Sequence, residues 1–397
     1  MTVSSARSKD AISWPSVPQN EGRPLAGVKV LDLSRILAGP FCSMILADLG
    51  ADVIKVEPPG GDEIRRWGPP FHPSGDAVYY LAVNRNKFSL SLDLSVTADR
   101  DLLFALLREA DVFIHNYTDR VAQKLGLVDA DIARANPRLL TMHISGYGQA
   151  DPDRPGYDVT IQAQSGLMSV TGAAEGDPIK AGVPIADLAA GLFAVSAITA
   201  ALYERRNSPV AGGPTGRRLE VSLYDSALAI LANQAMGYLV AGQVPTRLAN
   251  DHPNVCPYGA YHALDGLIVL AVATDRHFRE LCKILGLEHL ASDDRFADNA
   301  SRVRHRTELK SLLETKLRER SIEEWRRDLD LAGIPNGPVR SVAEALHASE
   351  AMTVTQATHA GYGEVPQILS PIRIDGDYLR PYAAPPVVDE HGRLIRG

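Results

Sequence analysis

The stretch from Gly27 to Glu57 restricts the fold more than any other part of the chain. Gly27-Val28-Lys29-Val30-Leu31-Asp32-Leu33 is a short apolar run of the kind that forms a strand buried on both faces. A loop, Ser34 to Pro40, leads into an apolar helical segment, Phe41 to Leu49, closed by Gly50. Ala51 to Glu57 is a second buried strand, stopped by Pro58-Pro59-Gly60-Gly61. Strand, helix and strand in this order make a βαβ unit, which implies a parallel sheet with helices on its faces. The pattern repeats: Phe88 to Leu94 (strand), Asp99 to Glu109 (helix), Asp111 to Asn116 (strand), a helix ending at Gly126, and Leu139 to Ser145 (strand). The predicted class is α/β, with a doubly wound sheet. Ligands of such sheets bind at the carboxyl ends of the strands. Here those ends are Leu37-Ala38, Glu57 onward, Asn116-Tyr117 and Gly146-Tyr147-Gly148. The first turn holds only Ala38-Gly39-Pro40 and no GxGxxG, so a nicotinamide dinucleotide is not supported.

A chain of 397 residues is long for one core and predicts two domains. Asn207 to Arg218 is rich in Pro, Gly and Thr; an alternating strand, Leu219 to Leu223, and a helix, Tyr224 to Val240, follow. From Asn250 the character changes. Tyr258 to Ala273 reads as a hairpin turned by Asp265-Gly266, and Arg276 to Leu285 and Arg306 to Glu319 as amphipathic helices. The expected division is a loose tail over 1–22, a large domain over 23–225, a linker helix and small α+β domain over 226–332, and a segment over 333–397 returning to the large domain.

The net charge of -7 gives no reason to expect nucleic-acid binding. Cys42, Cys256 and Cys282 are far apart and form no CxxC, which excludes a disulfide scaffold and fits a reducing, cytoplasmic setting. The apolar run Leu188 to Tyr203 reads as too short for a membrane span. The eleven histidines include no HExxH, so no metal is expected, and no GxSxG elbow marks a serine hydrolase. Arg65, Arg66, Arg85 and Lys87 could hold phosphates or be surface charges, and His252, Tyr258 and Asp275 could face a pocket or be loop and hairpin residues.

Asp187 is the most pointed residue. It lies in Val183-Pro184-Ile185-Ala186-Asp187-Leu188, between a short extended run and the apolar helix. On this segment alone it reads as a helix N-cap, where backbone N–H groups and the helix dipole favour negative charge.

Seven segments in order resemble the class III coenzyme A transferases, the formyl-CoA and carnitine-CoA transferase (CaiB/BaiF) group. They are Val30 to Pro40, Leu49 to Glu57, Asn84-Arg85-Asn86-Lys87, Pro155-Gly156-Tyr157-Asp158, Val183 to Asp187, Leu219 to Asp225 and Ala332 to Val339. The resemblance implies a Rossmann-like large domain, a small domain, and two chains interlocked as a homodimer. It implies an acyl-CoA:carboxylate CoA-transferase with Asp187 as covalent nucleophile, acyl-CoA and a small carboxylic acid as substrates, and no tightly bound cofactor. It also puts Leu37, Ala38, Leu92, Asp93, Asn116, Tyr117, Lys124 and Tyr157 at the coenzyme A site. Pro58 and Leu37 replace residues of the formyl-CoA branch, which argues against formyl-CoA:oxalate specificity. The α-methylacyl-CoA racemases of the same superfamily pair the aspartate with a histidine where this chain has Tyr157. Tyrosine is a poor proton partner near neutral pH, which favours transfer over racemisation. A non-catalytic acyl-CoA-binding protein is the third reading.

Overall fold

The computed structural model describes residues 13–16, 20–207, 216–348, 354–379 and 382–397. The chain forms two compact units: 1–167, 181–236 and 352–397 make the first, and 168–180 with 237–351 the second.

The first unit is built on a six-stranded, all-parallel sheet. Its elements are β1 (Lys29–Asp32), α1 (Ala38–Asp48), β2 (Asp52–Glu57), α2 (Val78–Leu81), β3 (Lys87–Ser91), α3 (Thr97–Glu109), β4 (Val112–His115), α4 (Asp119–Lys124), α5 (Asp129–Ala135), β5 (Leu140–Ser145), α6 (Asp158–Gln164), α7 (Ile185–Asn207), β6 (Arg217–Ser222) and α8 (Leu223–Ile230). The strand order is β3-β2-β1-β4-β5-β6. This is the doubly wound order, and the direction of winding reverses between β1 and β4. Alternate side chains of each strand feed two cores. Val30, Val53, Val112, Ile114 and Met142 pack with α1, α7 and α8. Leu31, Ile54, Leu90 and Phe113 pack with α3 and α5 on the other face. Burial on both faces is why these strands read as nearly continuous apolar runs.

The long helix α7 has 23 residues, long and apolar enough by length to cross a membrane, so the expectation that it is too short is corrected. Packing places it instead. Ala186, Ala190, Ala194 and Ile198 are buried in the core beneath the sheet. A Cβ on Gly191 would stand 2.8 Å from the Ala38 carbonyl, so only glycine lets α7 approach the start of α1 this closely.

The expected tail over 1–22 lies mostly outside the described residues, but Trp14 is anchored. Its indole donates to the Asp52 carbonyl at 3.2 Å, and Lys29 lies over its ring. The helix expected over Tyr224–Val240 is two, α8 and α9 (Asn233–Ala241), because Ala232 between them takes a φ of +44°.

In the second unit β7 (Tyr258–His262) and β8 (Leu267–Ala271) form the expected hairpin, and β9 (Asn336–Pro338) adds antiparallel to β8. Helices α10 (Asp275–Ile284), α11 (Asn299–Arg304), α12 (Arg306–Leu317) and α13 (Ile322–Leu331) surround it. The strand β9 draws residues from 333 onward into this unit, where the sequence suggested a return to the sheet. Residues 168–180 join it too, since Arg247 donates to the carbonyls of Ala173 and Gly176. The return begins later. The C-terminal segment docks on the first unit through Arg85 to Ile368 and through Asp389 to Ser91.

Candidate active site

The strand ends of the first unit carry two kinds of polar residue. One kind is fully paired. Asp32 accepts from Ser34, Ser43 and Lys87. Lys55 bridges the Ser34 carbonyl and Asp62, each at 3.0 Å. Arg65 grips Glu57 with two bonds of 2.8 Å and reaches Asp76. Arg85 forks onto Asp48. Arg65, Arg85 and Lys87 are buried in these pairs, so they are neither surface charges nor groups free to hold phosphate. Arg66 is exposed.

This paired layer shapes the loop after β1. Asp62, held by Lys55, accepts from the backbone N–H of Ile36. Ile36 has a φ of +69°, a left-handed conformation that costs a β-branched residue about 1–2 kcal/mol. Asn116, after β4, accepts from the Arg35 N–H and donates to the Arg35 carbonyl, at 2.9 and 2.8 Å. The two strand ends that flank the switch point are thus clasped together.

Beside the clasp lies a cavity of about 260 Å³. Its walls include Arg35 to Ala38 after β1, Asn116 to Val121 after β4, His143 to Gly146 from β5, Pro152 to Tyr157, and Asp187. The segment bearing Tyr157 and Asp158 is seated by two glycines. A Cβ on Gly146 would meet the backbone N of Gly156 at 2.7 Å, so the two glycines pack backbone to backbone.

Asp187 is the third residue of α7, inside its first turn and not at its cap. The free N–H of Ala186 is taken by Asp158, at 2.9 Å. The second oxygen of Asp158 accepts from Gln162 at 2.6 Å. Asp187 is therefore not kept ionised by the helix N–H groups, as the sequence suggested. Burial first, and then the like charge of Asp158, push its carboxyl up to about 7. Tyr79 belongs to the same patch. Burial and then the charges of Asp187 and Asp158 push its hydroxyl up to about 12. Trp67 lies edge-on to Tyr79 and 6.4 Å from the half-exposed ring of Tyr157.

Six of the nine residues singled out in the sequence line this one cavity: Leu37, Ala38, Asn116, Tyr117, Tyr157 and Asp187. Three do not. Leu92 is buried in the core behind the sheet. Asp93 takes part in a turn, accepting from Ser95. Lys124 is exposed in the last turn of α4, whose Arg120 and Val121 reach the cavity instead. His252, Tyr258 and Asp275 lie in the second unit. His252 packs against Tyr258, and Asp275 pairs with Arg302.

The cavity also contains residues that the sequence did not announce. Arg35 lies 5.2 Å over the Tyr117 ring, and its Nε is buried without a partner. Arg120 and Arg154 add two more guanidinium groups to the wall, and Arg154 stacks 4.1 Å over Tyr147. Three arginines and a raised carboxyl suit a ligand that carries several phosphates and an electrophilic carbon. Among the described residues no cluster of three His, Cys, Asp or Glu side chains offers a metal site.

Comparison with known proteins agrees with this geometry. The family model described as CoA-transferase family III matches residues 25–392. A succinate–glutarate CoA-transferase of Agrobacterium fabrum is 42% identical over 333 residues, 82% of each chain. An acetyl-CoA:oxalate CoA-transferase of Acetobacter aceti is 35% identical over 96% of this chain and 97% of its own. A crystal structure of a CaiB/BaiF family protein from Brucella suis superposes with a TM-score of 0.82 at 38% identity, covering 94% of this chain and 98% of that one. The chain belongs to CoA-transferase family III, and it is a CoA-transferase that moves coenzyme A between an acyl-CoA and a carboxylic acid.

Proposed function

We propose that Asp187 is the covalent nucleophile of this transfer, and that the observation carrying the assignment is its carboxyl at about 7 in the wall of the strand-end cavity. An ionised Asp187 oxygen attacks the acyl carbonyl carbon, the C–S bond breaks, and CoA leaves as thiolate, giving a mixed anhydride. The thiolate attacks the Asp187 carbonyl of that anhydride and releases the first acid as its carboxylate. Asp187 is now an aspartyl-CoA thioester. The acceptor carboxylate attacks it, a second anhydride forms, and the thiolate attacks the acceptor's carbonyl to yield the new acyl-CoA and free Asp187. One thioester enters and one leaves, so no external energy source is consumed.

The raised carboxyl serves this sequence. Burial and Asp158 disfavour the free carboxylate, whereas anhydride and thioester are uncharged at that position. The free enzyme is thereby raised relative to its acylated forms, and about half of it is ionised at neutral pH. Arg35, Arg120 and Arg154 would meet the phosphates of coenzyme A, with Leu37, Ala38, Asn116, Tyr117 and Tyr157 forming the wall.

The substrates we assign are dicarboxylates, with succinyl-CoA as first donor, supported by 42% identity to an enzyme named for succinate and glutarate. A homodimer of interlocked chains is part of the same proposal. Leu192 and Phe193 of α7 stand about half exposed and Tyr203 more so, an apolar surface suited to a second chain. A cytoplasmic setting is supported by Cys42, Cys256 and Cys282, all free and buried.

The test is mass spectrometry after incubation with succinyl-CoA and then hydroxylamine or borohydride, with peptide mapping. Modification confined to the peptide bearing Asp187 is the expected result. Lack of modification with several acyl-CoA donors, together with exchange of the α-proton in deuterated water, would move the chemistry to racemisation.

A further inference from the structure

Two histidines stand side by side at the cavity, and nothing in the transfer chemistry uses them. In the parallel register of β4 and β5, His115 lies opposite His143. Their rings stack 4.6 Å apart and 16° from parallel, and both are buried. His143 lines the cavity. Its Nε2 is 2.9 Å from the Tyr117 carbonyl. A carbonyl only accepts, so Nε2 carries the hydrogen and Nδ1 of the neutral ring carries a lone pair. That Nδ1 is buried without a partner and lies 3.9 Å from a Glu220 carboxylate oxygen. A lone pair facing a carboxylate is a repulsive arrangement that one proton turns into an ion pair.

We infer that His143 is a proton-linked positioning residue: it holds the Tyr117 wall of the cavity from behind, and a proton on Nδ1, received opposite Glu220, tightens that hold. The inference rests on the reading of the cavity as the coenzyme A site. The groups facing the ring come from each neighbouring element. From β6 comes Glu220, whose oxygens also accept from Ser145 and Gln149. From β4 comes His115, and just beyond it Tyr117. Burial, then His143 and Arg218, push His115 down to about 3, so it stays neutral and the stacked pair has room for one proton. Burial pushes the Tyr117 hydroxyl up, so it contributes no charge near neutrality.

The effect on ligand follows the bonds outward. His143 fixes the backbone of Tyr117; the Tyr117 ring carries the Arg35 guanidinium; and Asn116, next in sequence, clasps the Arg35 backbone. A charged imidazolium donates a stronger hydrogen bond to the carbonyl than a neutral ring does, by about a factor of two. Loop 35–38 is therefore held most firmly when His143 is protonated. Coenzyme A affinity rises as pH falls through the histidine range, while the transfer rate, which needs Asp187 ionised, falls over the same range.

The experiment is calorimetric titration of free coenzyme A into the full-length protein from about pH 5.5 to 8.5, for wild type, His143→Gln and Glu220→Gln. Glutamine keeps a donor for the Tyr117 carbonyl and loses the titrating nitrogen, and any titration of the ligand itself is common to all three. The expected result is a wild-type Kd that tightens by roughly three- to tenfold on acidification, with both variants near wild type at pH 8.5 and flat below it. A His143→Gln profile that parallels wild type overturns the inference, and so does one weakened by the same factor at every pH, which is the mark of a merely structural role. Glu220→Gln decides the matter if His143→Gln does not fold. Wild type that binds no coenzyme A at any pH overturns the site reading itself, an outcome distinct from all of these.

Discussion

The ends of β1, β2 and β3 and the ends of β4 and β5 are equally polar, and the structure treats them in opposite ways. Around β1 to β3, Asp32, Lys55, Glu57, Arg65 and Lys87 are buried, and each has its partners. Around β4 and β5, His143 Nδ1 has no partner, and neither does the Nε of Arg35, which is clasped to Asn116. Asp187, across the cavity, is held near neutral pH by burial and a like charge. Removing a buried charge from water is tolerable only when it is paired. Groups left unpaired persist because something else has use for them. The paired region is scaffold, and the unpaired region is where a charged ligand completes the set.

The comparison breaks most sharply at Asp187. Asp187→Asn should reduce transfer by about 10³-fold or more, because an amide cannot form the anhydride. The same change should not destabilise the free protein. The folded-state pKa of Asp187 is raised to about 7, so its stability contribution is full below its unfolded value and is lost as pH rises through 7. At pH 8 the charged form burdens the fold, and Asp187→Asn should stabilise it by on the order of 1–2 kcal/mol after solvent screening, with no difference near pH 4. Denaturant unfolding at the two pH values checks this. A variant destabilised at pH 8 would mean that Asp187 is scaffold after all.

The paired region predicts the reverse pattern. Arg65→Met leaves Glu57 buried and uncompensated, and should destabilise by about 3–5 kcal/mol. Arg35→Met, on the unpaired side, should change unfolding by less than about 1 kcal/mol and weaken coenzyme A binding by about tenfold. Equal stability losses in the two variants would erase the distinction.

What could be read from the sequence divides along the same line. The βαβ pattern follows from local rules, so the strands, the parallel sheet and the strand-end location of the site were all legible. Leu37-Ala38 and Asn116-Tyr117 were found because they sit immediately after strands. The hairpin at Asp265-Gly266 was legible for the same local reason. Long-range partnership was not. Nothing near Arg65 or Arg85 in sequence says that Glu57 and Asp48 await them inside the fold. Asp187 was legible as an acid at a helix start, but its electrostatics were misread. Asp158, 28 residues upstream in contact terms, takes the N–H that the sequence assigned to Asp187. Lys124 and Arg120 lie one turn apart on α4, and only packing tells which reaches the cavity. His115 and His143 carry no motif. Their pairing exists only once β4 and β5 are in register.

The finest test of the comparison concerns how Asp187 is tuned. Burial is the larger cause of its raised carboxyl and the charge of Asp158 the smaller. Asp158→Asn removes the charge but keeps an oxygen to accept the Ala186 N–H and cap α7. The transfer rate of the wild type should climb with pH and level off above about 7, as the nucleophile ionises. In Asp158→Asn the inflection should move to lower pH by a fraction of a unit, because burial still opposes the charge. Single-turnover rates across pH 5 to 9 would show it as a faster reaction near pH 6 and an unchanged plateau. An inflection that moves upward would mean that Asp158 stabilises the carboxylate through a route other than charge. One that falls all the way to the ordinary aspartate range would make the paired carboxylate, and not the buried wall, the source of the tuning.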